Sequence, residues 1–147
     1  MQQIPGGDGQ AEGRYRTTLV IYFALFSSIG VLLLLTLAVI ERPADVADNR
    51  LLTFLFGAIG AFNVVISLVL KQRIISQAVE KGRADMVQAA YVVAFALSDS
   101  ASLFGLMLFF LTPGASFYVL FAIAATGMLL HFPRRDHFYA AAQRKSL

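Results

Sequence analysis

The chain has 147 residues, of which 58% are hydrophobic and only 14% charged, with a formal net charge of +3. Soluble domains carry about a quarter charged residues, so an ordinary soluble globule is excluded; the surplus bases sit at the edges of apolar runs and are no nucleic-acid footprint. Cysteine is absent, which excludes disulfides, thiolate zinc sites and a thiol nucleophile.

Residues 1–16 are rich in Gly and Gln, have almost nothing to bury and read as a disordered cytoplasmic tail. A cleavable signal peptide is not expected, because the run that follows is long enough to span and lacks a clear small-residue cleavage site. A first transmembrane helix is expected over about 18–40, with Ser27, Ser28 and Gly30 at its middle and Glu41-Arg42-Pro43 stopping it. A second is expected over about 51–70. Within it, Gly57, Gly60 and Ala61 recur at i, i+3 and i+4 and predict a smooth helix-packing face. The connection 71–85 is polar, but Ile74, Ile75, Ala78 and Val79 keep helical spacing and predict that the flanking helices run on past the membrane surface.

A third span is expected over about 86–111 and a fourth, the shortest, over about 115–132. The uncharged turn Thr112-Pro113-Gly114 separates them, and Pro133 closes the fourth. Residues 134–147 form a basic tail. About 20 apolar residues cross a hydrocarbon core of roughly 30 Å, so the expected fold is all-α: a polytopic membrane protein of four up-down helices over 17–133. Ten of the 12 Lys and Arg residues (14, 16, 71, 73, 81, 83, 134, 135, 144 and 145) fall in the N-terminal tail, the 71–85 connection and the C-terminal tail. The positive-inside rule therefore predicts that both termini and the middle connection are cytoplasmic. The expected location is a membrane, multi-pass, of the bacterial inner (plasma) membrane kind.

One residue breaks the apolar pattern. Asp99 lies in the middle of the third span, where a charged side chain costs about 2.5–3.5 kcal/mol on insertion scales, and an intramembrane acid is by default a candidate functional site. Ser98 and Ser102 accompany it. An antiparallel pairing of the second and third spans, counted back equally from the connection, brings Asp99 near Gly60 and within a turn of Asn63. Burial disfavours the charged carboxyl, so Asp99, Ser98, Ser102 and Asn63 make a candidate proton or monovalent-cation site with no other cofactor and no metal. The competing reading is interhelical hydrogen-bonding glue. His131 and His137 read as boundary residues, without metal-ligand spacing. The aromatic residues near the span ends read as an interfacial belt, and the paired bases as topology signals that touch lipid head groups.

Ala96-Leu97-Ser98-Asp99-Ser100 followed by Phe104-Gly105-Leu106 resembles the acid-bearing helix of the proteolipid c subunits of rotary ATP synthases. The glycine-containing helix before it and the basic connection are also similar, over about residues 53–111. The Gly-x-Gly-x-Gly repeat and the connection's Arg-Gln-Pro are missing, and two further spans are present. The resemblance implies an ion held at Asp99 with Gly60 and Asn63 opposite. Two functions are therefore expected: a proteolipid-like subunit binding a proton or cation, or a structural or assembly subunit without transport activity. No enzyme is expected, since a lone acid lacks a partner base. The expected partners are membrane lipids and either a homo-oligomer or a larger membrane complex, with no nucleic acid.

Overall fold

The computed structural model describes residues 6–38, 49–112 and 115–143. The expected stop at Glu41-Arg42-Pro43, the Pro113-Gly114 turn and the Arg144/Lys145 pair lie outside the described residues. The described part forms five helices: α1 (Gly6–Ala38), α2 (Arg50–Glu80), α3 (Ala84–Leu111), α4 (Phe117–Leu130) and α5 (Arg135–Gln143). Three of them are long and apolar enough to cross a membrane, and a fourth span exists if α4 and α5, bent by 42° at the break between them, count as one. By helix length and hydropathy this is a multi-pass membrane protein.

Helix α3 is the axis. It packs against α1, α2, α4 and α5, and 44% of its most apolar window is buried inside the bundle, against 17% for α1 and 11% for α2. Small residues allow this. Ala90, Ala94, Ala101 and Gly105 are buried on α3, and a Cβ on Gly105 would stand 3.1 Å from the Phe121 ring of α4. In lipid, where apolar burial against another helix gains little over burial in acyl chains, such close approach is what holds helices together. Leu51, Phe54, Phe62 and Val65 of α2 point outward, as a surface solvated by acyl chains requires.

Helix α2 begins with Asn49, whose side chain accepts from the Leu52 N–H at 3.1 Å, a standard N-cap bond. It continues ten residues past Leu70, as the spacing of Ile74, Ile75, Ala78 and Val79 predicts. It ends where Gly82 turns into the left-handed region at φ 62°. There the Gly82 N–H reaches the Val79 carbonyl at 3.2 Å and the Arg83 N–H the Ala78 carbonyl at 2.9 Å, the paired bonds of a Schellman stop that a residue with a Cβ adopts only under strain.

Two expectations are corrected. Residues 6–16 are not a disordered tail but the first turns of α1. Ala11 is fully buried, Tyr15 packs edge-on to Phe138 with centroids 5.9 Å apart, and Glu12 pairs with Arg135 at 2.7 Å. The partner of this segment is α5, some 120 residues away in sequence, so nothing local announces it. Nor is the fourth span one straight helix over 115–132. Helix α4 has 14 residues, about 21 Å of rise against a core of roughly 30 Å. The chain then turns at Pro133, which is buried, and α5 lays Phe138 and Ala141 back on the bundle.

Candidate functional site

Asp99 lies about midway along α3, on a border. A helix turns 100° per residue, so positions three and four away share a flank. Phe95 and Ser102 on one flank are buried, Ala96 and Leu103 on the other are exposed, and Asp99 between them is partly exposed. Ser102 Oγ lies 2.7 Å from the Asp99 carbonyl oxygen and 3.0 Å from its Oδ1. One hydroxyl proton divides between these acceptors, so among the described residues the carboxyl receives a single shared hydrogen bond, from its own helix.

The other expected site residues sit elsewhere. Asn63 Nδ2 donates to Ser100 Oγ at 3.0 Å and ties α2 to α3. Ser98 is fully buried and donates to the Ala94 carbonyl at 2.9 Å; across the interface it faces Gly127 of α4. Gly60 faces Ala101 and Leu120, not Asp99, with the nearest atoms 3.2–3.3 Å from where its Cβ would be. Of the four residues expected to form the ion site, the structure joins only Ser102 to Asp99. The reason is angular: Ala101 and Asp99 differ by two residues, or 200°, so the helix face that meets Gly60 turns the acid away. On the expected packing face, Gly60 is the close contact. Nothing approaches within 4 Å of a Cβ on Gly57, and Ala61, one residue round from Gly60, is exposed. The line of α2 that faces inward is Gly60, Val64, Ser67, Ile75 and Ala78.

A second polar cluster, which residue-by-residue reading leaves as boundary residues, occupies the basic end of the bundle. His131 is fully buried at the end of α4, and its Nε2 lies 2.6 Å from Ser67 Oγ of α2. Ser67 also donates to the Val64 carbonyl at 2.6 Å. His131 Nδ1 is buried with no hydrogen-bond partner. Next to it, Tyr91 of α3, also fully buried, accepts from the Arg134 N–H at 3.0 Å and lies 2.8 Å from His137 Nδ1 of α5. Lys71 of α2 covers this cluster, its Nζ 5.5 Å above the Tyr91 ring and 3.4 Å from the Leu130 carbonyl. On α5, outside the apolar spans, burial holds His137 below the ordinary imidazole range; the charges of Lys71 and Arg134 add to this and Asp136 opposes it. The one sequence signal is that His131 closes an apolar run, three residues ahead of the arginines that mark the boundary.

A cleft of about 280 Å³ opens between the start of α1 and the α2–α3 turn, lined by Arg14, Lys81, Arg83 and Asp85 among others. Its arginines are already engaged. Arg14 donates to Gln88 at 3.3 Å, and Arg83 pairs with Asp85 at 2.6 Å, which holds the Asp85 carboxyl below its usual range by hydrogen bonding and charge. Among the described residues no three His, Asp or Glu side chains converge where a metal ion could sit. No family model, curated protein or solved structure matches this chain.

Proposed function

We propose that this chain is a proteolipid-like membrane subunit with four up-down spans and cytoplasmic termini, which binds a proton or monovalent cation at Asp99 where the bundle meets a second copy or another subunit. The observation that supports the reading is the position of the acid: mid-span, partly exposed, with only Ser102 of its own helix beside it. Glue within the bundle is the work of Asn63 and Ser100. In the protonated state the Asp99 carboxyl donates to Ser102 Oγ while Ser102 donates to the Asp99 carbonyl, so a neutral acid is satisfied in lipid. Releasing the proton leaves a carboxylate at a depth that disfavours charge, and a partner that supplies a cation draws it off.

The test is modification of the full chain in membranes by a hydrophobic carbodiimide, which reacts with protonated carboxyls. Mass mapping is expected to find the adduct on Asp99 and none in Asp99→Asn. Absence of reaction at any pH removes the ion site. A structural or assembly subunit is then the function that remains.

A further inference from the structure

The chain has two histidines, and they flank one elbow. His131 ends α4, His137 lies in the first turn of α5, and the four residues from His131 to Arg134 make the 42° bend between the helices. Each histidine ties this elbow to a different neighbour, and in each the ring nitrogen that an added proton would enter is Nδ1. The Ser67 hydroxyl proton is committed to the Val64 carbonyl at 2.6 Å, so Ser67 Oγ accepts from His131 Nε2–H at 2.6 Å. That places the lone pair on Nδ1, buried and without a partner. On the other side Tyr91 accepts the Arg134 N–H at 3.0 Å, and its own hydroxyl proton donates to His137 Nδ1 at 2.8 Å. A bound proton at His137 Nδ1 abolishes that acceptor.

We propose that the α4–α5 elbow is a pH-sensitive latch, closed while His131 and His137 are neutral and opened by their protonation, which releases α5 from α2 and α3. A proton on His131 Nδ1 creates a buried N–H with no acceptor among the described residues and a positive charge close to Lys71. Either alone costs free energy at a buried site. The charged and titratable groups around the two rings are Lys71 from α2, Tyr91 from α3, Arg134 from the elbow and Asp136 from α5. Lys71 and Arg134 repel a cation, and Asp136 is exposed. The Tyr91 oxygen, which already accepts the Arg134 N–H, takes a protonated His137 Nδ1–H only by turning its own proton away from it. From α1, Glu12 reaches α5 but ends on Arg135 and Tyr139, so that tie outlasts the histidines until carboxylates titrate. The sign follows from proton counts. The open state binds more protons, so the latch is closed above the ordinary imidazole pKa of about 6.5 and opens as pH falls below it.

The absence of cysteine makes the test clean. Gln72→Cys on α2 and Ala140→Cys on α5, both exposed positions, carry a spin-label pair in the full chain reconstituted in phosphatidylcholine nanodiscs. Distances are measured by pulsed electron resonance from about pH 8 to about pH 5. One distance is expected at the high end, and a second, longer one that grows reversibly with acid. The double variant His131→Gln/His137→Gln is expected to lose the response. Lys71→Met, which keeps the aliphatic stem and removes the cation that disfavours protonation of both rings in the closed state, is expected to shift the midpoint to lower pH. A single distance throughout, or a response that the double variant keeps, overturns the latch. If the double variant does not fold, an unmoved midpoint in Lys71→Met overturns it equally.

Discussion

The middle of α3 and the elbow at the basic end solve the same problem in opposite ways. Both place ionisable side chains among apolar ones. At the elbow His131, Ser67, Tyr91 and His137 come from four different helix segments and meet in two pairs, His131 with Ser67 at 2.6 Å and Tyr91 with His137 at 2.8 Å. At mid-span Asp99 meets only Ser102, one turn along its own helix. The difference teaches that polar groups are used here for two purposes. Where α5 folds back they are consumed in joining helices; where α3 faces outward the carboxyl makes no bond to another helix among the described residues.

Substitutions can break or sharpen that contrast. The largest effect is expected where the α3–α4 seam is tightest. A Cβ on Gly127 would stand 2.9 Å from Ser98 Oγ and from Val64 Cγ2, so Gly127→Val is expected to cost about 2–3 kcal/mol by overpacking, read as a loss of folded fraction in detergent unfolding. Next, Ser67→Ala removes the partner of a fully buried imidazole and is expected to cost about 1–2 kcal/mol in the same titration. If it costs nothing, the elbow is not the closed region that its distances describe. Asn63→Val cuts the α2–α3 bond and is expected to cost about 0.6 kcal/mol, the usual worth of such a bond in lipid. Asp99→Asn is expected to change stability by less than about 0.5 kcal/mol, because it breaks no bond between helices. A large loss there would return the acid to the role of glue.

The smallest effect concerns pH at the polar start of α1, ahead of the apolar stretch. Hydrogen bonds from Arg16 and then Arg135 hold the Glu12 carboxyl below its usual range. A lowered folded pKa contributes stability that is present above the unfolded value and lost as pH falls through the folded one. Acidification below about pH 4.5 is therefore expected to loosen the α1–α5 contact slightly, and Glu12→Gln to remove that dependence. The carboxylate is partly exposed and its arginine partners are exposed, so screening by salt keeps the effect small.

How much of this was legible beforehand differs between residues. Uninterrupted apolar runs announce α1, α2 and α3, because crossing lipid demands length and hydrophobicity that are countable along the chain. Asp99 was equally plain, since one acid in such a run has no disguise. Its surroundings were not. Equal counting back from the connection brings the right stretches of α2 and α3 together, yet a difference of two residues puts Ala101, and not Asp99, against Gly60. Ser67 and His131 gave less warning still, because they are 64 residues apart and each is unremarkable alone.

By itself, then, the amino-acid order determined that this chain lives in a membrane, roughly where its long helices lie, and that one carboxyl falls in the middle of a span. Hydrophobicity and rise per residue are local quantities and need no neighbours to be evaluated. Only the tertiary structure decided that 6–16 is helical against α5, that the chain bends at Pro133 between α4 and α5, and that the two histidines close on one elbow. Those outcomes depend on which faces of distant helices meet, and helix rotation is set by packing that no local window contains.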